Sequence, residues 1–147
     1  MTHKCGRIVL IYLKSKKIAL FLYIGCHSRI VKPEIGLLAG YWRIDFITHK
    51  NETFRPKGIT KLLDYYSLNK NSGFRKKVEP LIDNNFIITE DQNPFTIVDN
   101  GEDYFIQFET KWDQWREKII ELSKSELVLE HQEKRYHYVR FVKDLEL

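Results

Sequence analysis

The stretch from Ile59 to Phe105 constrains this chain more than any other. Ile59, Leu62, Leu63 and Tyr66 stand at i, i+3, i+4 and i+7, which places four apolar side chains on one stripe of a short helix. A polar break follows, Ser67-Leu68-Asn69-Lys70-Asn71, with Leu68 as its only apolar residue. Phe74, Val78, Leu81 and Ile82 then repeat the helical period at i, i+4, i+7 and i+8. Either Asn71 or Ser72 can cap this second helix, because each offers a side-chain oxygen to the first free backbone amides. Two short helices about a tight turn, then two apolar strand-like runs, predict a helix-turn-helix followed by a wing.

With these elements in that order, residues 59–105 resemble the winged helix-turn-helix DNA-binding domains of the broad MarR-like group of prokaryotic regulators. The resemblance is carried by the helix Ile59–Tyr66, the turn through Leu68, the helix start at Ser72 and the helix exit Asp83-Asn84-Asn85-Phe86-Ile87. It continues through the junction from Phe95 to Phe105, where an apolar strand meets Gly101 and an aromatic-rich segment. The resemblance implies an α+β fold, mainly α, built as a winged helix-turn-helix with a long C-terminal helix. It further implies a homodimer that pairs through terminal helices and reads two half-sites of double-stranded DNA.

On that reading the second helix carries the chemistry. With Phe74, Val78, Leu81 and Ile82 turned inward, Ser72, Gly73, Arg75, Lys76 and Glu79 face outward, with Lys77 at the margin. Arg75 is the expected base contact, since its planar fork matches the paired acceptors of guanine. Lys70, Lys76 and Lys77 suit phosphates as compact cations, and Asn71 and Ser72 add hydrogen bonds. Two features depart from the pattern. Pro80 removes a hydrogen bond late in the helix. The wing tip, Thr89-Glu90-Asp91-Gln92-Asn93-Pro94, carries two carboxylates that repel phosphate. The acidic tip leaves open a second reading, a winged module that binds protein in a replication or defence complex.

The chain divides into three parts on this view. Residues 1–32 form an apolar and basic extension, with runs Ile8–Leu13 and Ile18–Ile24 split by Lys14-Ser-Lys-Lys17. Neither run approaches the roughly 20 apolar residues that a membrane span needs. Residues 33–105 form the winged domain, its first helix running from Pro33 through Ile35, Leu38, Tyr41, Trp42 and Phe46. Residues 106–147 form a helical dimerisation segment. There Phe105, Phe108, Trp112, Trp115, Ile119 and Leu122 are spaced 3, 4, 3, 4, 3, an a/d seam that fits either packing on its own domain or a partner helix. The resemblance favours the partner and makes Phe108, Trp112, Trp115, Ile119 and Leu122 the expected dimer interface. Glu126–Glu133 continues as helix; Tyr136–Val142 is rich in β-branched and aromatic residues, yet is also read as helix.

Charge supports a polyanionic partner. The net charge of the 147 residues is only +4, but residues 1–80 hold a balance of +11 and residues 81–147 one of −7. Cys5 and Cys26 form no CxxC pair, which points to a reduced, cytoplasmic chain. No phosphate-binding, nucleophile-elbow or zinc-protease motif is present, and the five histidines show no paired ligand spacing. The sequence therefore predicts a dimeric regulator without metal, cofactor or catalytic residues. A DNA-processing subunit stands behind it as a third reading.

Overall fold

Antiparallel strands hold most of the described residues between Gly40 and Phe141. The computed structural model describes residues 32–56, 62–81 and 85–142. After a 3-10 turn, Ile35–Leu38, come nine strands: β1 Gly40–His49, β2 Glu52–Phe54, β3 Leu63–Asn69, β4 Ser72–Pro80, β5 Phe86–Asp99, β6 Tyr104–Glu109, β7 Gln114–Leu122, β8 Glu126–His131 and β9 Lys134–Phe141. Each strand from β3 to β9 pairs with the next, and β9 returns to β1. Eight strands thus close a barrel, with β2 as a short ribbon on the far half of β1.

The closing seams are unequal. β1 and β9 share eight residue pairs, from Tyr41↔Phe141 to His49↔Lys134, whereas β1 and β3 share three, Gly40↔Tyr66 to Trp42↔Asp64.

This architecture overturns the mainly α winged helix-turn-helix, and the MarR-like resemblance with it. Among the described residues there is no α-helix. The reason lies in which faces are covered. A strand with one apolar face alternates cleanly, but a strand apolar on both faces reads as a run that also satisfies helical spacing. Tyr66 points into the barrel and is fully buried, while Leu63 lies on the opposite face, pairs with Val78 and is also nearly fully buried. Two faces of β3 and β4 therefore imitate one stripe of a helix. The wing tip Thr89–Pro94 lies within β5, and Pro80 ends β4.

The seam at 105–122 has a different origin. Residues seven apart share a helical stripe, but they also face each other across a hairpin when the turn is centred between them. Phe108 pairs with Trp115, and their rings stack at 4.7 Å and 11°. The turn between them is locked by Thr110, whose hydroxyl accepts from the amides of Trp112 and Asp113. Asp99-Asn100-Gly101, expected to lead into a helix, is an Asx turn between β5 and β6: Asn100 Oδ1 accepts from Glu102 and Asp103, and Gly101 takes φ +94. The barrel runs across the expected boundary between residues 105 and 106. Residues 1–31, which carry the apolar runs and both cysteines, lie outside the described residues, as do Ile59, Ile82 and Asp83.

One end of the barrel is closed by the 3-10 turn. Leu38 is wholly buried there against Trp42, whose indole Nε1 donates to Leu38 O at 2.9 Å. Arg140 lies 4.1 Å over the Trp42 ring and donates to the carbonyls of Leu37, Ala39 and Lys124. Gly40 is required between them: its φ is +124, and a Cβ would lie 2.7 Å from Arg140 Nη1. From this plug the core continues through Tyr66, Phe95, Ile97, Ile106, Phe108, Ile119, Leu127, Leu129 and Tyr138.

The β8–β9 turn is a site where the sequence works against its own backbone. Gln132 and Glu133 both hold positive φ, 48° and 62°, the geometry in which Asn-Gly is preferred. Replacing the pair by Asn-Gly is expected to stabilise the barrel by about 1 kcal/mol. Scanning calorimetry would show a melting temperature higher by about 2–4 °C. An unchanged or lower value would refute the turn assignment.

Candidate functional site

Alternation along four strands sends a set of charged and aromatic side chains into the barrel, where an aliphatic core would be the simpler solution. On β3 these are Asp64 and Tyr66, on β4 Arg75 and Lys77, on β7 Trp115 and Glu117, and on β9 Tyr136 and Tyr138. The register matches them across the sheet: Tyr66 is opposite Arg75, and Asp64 opposite Lys77.

Arg75 and Glu117 form the centre. Arg75 Nη1 lies 3.0 Å from both carboxylate oxygens of Glu117, with side chains only 15% and 11% exposed, and donates to the Tyr66 hydroxyl at 3.2 Å. Its guanidinium also lies 4.3 Å from the Phe108 ring centre. Glu117 Oε1 accepts a second bond, 3.0 Å long, from Trp115 Nε1. Burial works against the charge of Arg75, but Tyr66 and Glu117 more than offset it and hold the group above its usual value. Burial pushes the phenols of Tyr66 and Tyr138 up, so both stay neutral in ordinary buffers.

Asp64 is the second acidic group, 3% exposed. Its Oδ1 lies 2.7 Å from Nζ of Lys77, whose side chain is 54% exposed. The contact is close enough for an ion pair but misses the directions of a hydrogen bond, so this buried oxygen has no donor aligned on it. Asp64, Arg75, Lys77, Glu117, Tyr136 and Tyr138 line a cavity of about 230 Å³, joined by His131, which meets the backbone oxygen of Arg116 through Nδ1. The bond to a carbonyl requires that nitrogen to carry the proton.

The residues expected on a recognition helix are therefore divided. Lys70 and Asn71 make the β3–β4 turn, with φ +56 at Lys70, and Ser72 starts β4. Arg75 and Lys77 face the lumen, and Lys76 faces outward over the Phe74 ring. A base-reading Arg75 is excluded by its burial against Glu117. The expected dimer seam is likewise dispersed: Phe108 and Ile119 are core, Trp115 faces the lumen beside Glu117, Leu122 is half-buried against the core, and Trp112 stands 85% exposed at a turn.

The model of the Lipocalin-like domain family matches residues 38–129, more than half of the chain. The chain belongs to the lipocalin-like family. A comparison with curated proteins gives no match. Among solved structures, a lipocalin-like protein from Bacteroides uniformis is 17% identical, with a TM-score of 0.45 over 72% of this chain and 100% of its own. An uncharacterized protein from Bacteroides eggerthii is 8% identical, with a TM-score of 0.44 over 70% and 98%. Lobster apocrustacyanin A1 is 14% identical, with a TM-score of 0.40 over 75% and 64%. The family match overturns the DNA-binding regulator and the winged protein-interaction module together, since both required a helix-turn-helix.

Reading by helical period hid the lumen of this lipocalin-like barrel. Asp64, Glu117, Tyr136 and Tyr138 stand out in no helical pattern, yet each belongs to a period-two set: Asp64-x-Tyr66, Arg75-x-Lys77, Trp115-x-Glu117-x-Ile119 and Tyr136-x-Tyr138. Charges that alternate with large apolar residues on several strands are the signal that would have found them.

Proposed function

We propose that this lipocalin-like protein binds a small molecule in the barrel lumen, as a binding protein and not as an enzyme. An eight-stranded barrel is just wide enough either to fill with side chains or to hold one small ligand. This chain divides the space between both uses. Trp42, Tyr66 and Phe108 fill the core, and the cavity bounded by Asp64, Arg75 and Glu117 remains. The observation that carries the reading is this cavity with buried charged groups in its wall, where apolar side chains would have carried a lower desolvation cost.

A cavity of about 230 Å³ lies below the range of drug-sized sites and suits a ligand of roughly ten non-hydrogen atoms. At about 0.5 kcal/mol per atom, such a probe should bind with a Kd on the order of 0.1–1 mM. The test is a panel of ten-atom amines, alcohols and carboxylates followed by amide shifts in two-dimensional NMR. Shifts gathered on Asp64, Arg75, Glu117 and Tyr138 are expected. Shifts confined to the outer face of β4 and β5, around Ser72 and Thr96, or no shift for any compound, would reject the lumen as the site.

A further inference from the structure

Among the described residues, one buried side-chain oxygen in the lumen is left without an aligned donor, and its surroundings restrict what can supply one. We propose that the ligand carries a protonated amine, which docks its ammonium on Asp64 while Lys77 turns out to solvent. The proposal rests on the lumen reading above and adds the ligand's chemistry.

Asp64 Oδ1 is buried, borders the cavity and lacks a hydrogen-bond donor in good geometry. A buried carboxylate oxygen in this state is costly, and a charge-assisted bond to an aligned ammonium recovers most of that cost. The competing cation is easily displaced. Lys77 reaches Asp64 at 2.7 Å from a side chain that is more than half exposed, so its ammonium has water to return to on a flexible stem.

Arg75 is not displaced in this way, because it is held by both oxygens of Glu117, by Tyr66 and by the Phe108 face. Once Lys77 leaves, the cavity wall carries Asp64 and Glu117 against Arg75 alone, an excess of one negative charge that an ammonium neutralises. A carboxylate ligand would meet that excess as repulsion. An alcohol could donate to Asp64 but would bring no charge to replace Lys77. The remaining lining residues, His131, Tyr136 and Tyr138, supply aromatic surface for the body of an arylalkylamine.

The experiment titrates 2-phenylethylamine, 2-phenylethanol and 3-phenylpropionate into the full chain at pH 7.5, by calorimetry with amide shifts to place each probe. Wild type is compared with Asp64→Asn and Lys77→Gln. The amine is expected to bind at least tenfold more tightly than either other probe. Asp64→Asn should bring it down to the level of the alcohol, and Lys77→Gln should tighten it severalfold while leaving the alcohol unchanged. Lys77→Gln decides the matter alone if Asp64→Asn fails to fold. An amine no tighter than the alcohol or the carboxylate overturns the proposal, as does an amine that Lys77→Gln weakens. Lumen shifts from the alcohol or carboxylate alone would sink the ligand class and leave the lumen standing; no shifts from any probe would sink both.

Discussion

Arg75→Met is expected to cost the barrel about 3–5 kcal/mol, because it strands the Glu117 carboxylate among aromatic side chains with its charge unanswered. A typical domain has only about 5–15 kcal/mol to lose, so the variant should unfold at much lower urea concentration than wild type. The double variant Arg75→Met/Glu117→Leu should regain most of that loss. Two apolar side chains of similar volume do not have to be desolvated as charges, and replacing a buried ion pair in this way is often neutral or stabilising. Urea unfolding of both variants, followed by circular dichroism, measures the difference. A single variant as stable as wild type would mean that water reaches Glu117 freely. A double variant no better than the single would mean that Arg75 serves the fold through packing on Phe108 and Tyr66 and not through its charge.

Trp42→Ala should be comparably severe, at about 3–5 kcal/mol. The indole is fully buried, donates to Leu38 O and supports the guanidinium of Arg140, which in turn ties the 3-10 turn to the last strand. Its loss leaves a cavity, an unpaired carbonyl and an arginine without its platform. Trp112→Ala supplies the contrast: at 85% exposure on the β6–β7 turn, it should change stability by no more than about 0.5 kcal/mol. The same unfolding assay separates the two. Equal costs at Trp42 and Trp112 would contradict the placement of both residues.

These two tryptophans also show how much of the molecule could be read from its residues. That Trp42, Phe108 and Ile119 are buried was legible, since large apolar side chains at regular intervals seldom stay in water. Which periodicity placed them there was not. Phe108 and Trp115 satisfy a helical heptad and a hairpin equally well, and only the Thr110 and Asp113 turn between them favours the hairpin. In β3 and β4, residues such as Leu63 and Val78 are buried on the face away from the lumen, which erased the alternation that marks a strand. The basic run Arg75-Lys76-Lys77 stands out locally, but the run itself does not say that Arg75 and Lys77 face the lumen and Lys76 does not. Its partners Glu117 and Asp64 lie 42 and 11–13 residues away, and no local pattern announces such pairs.

The closing seam between β1 and β9 has a consequence in time. It joins Tyr41 to Phe141, a hundred residues apart, and the Arg140 contacts with Leu37 and Ala39 span the same distance. Strand pairings that remote are reached only after a large loss of chain entropy, which puts such barrels among the slow folders, in the millisecond-to-second range. Until β9 arrives, β1 and β8 each present an open edge, and open edges recruit strands from other chains. The arrival of β9 thus removes both of these open edges at once.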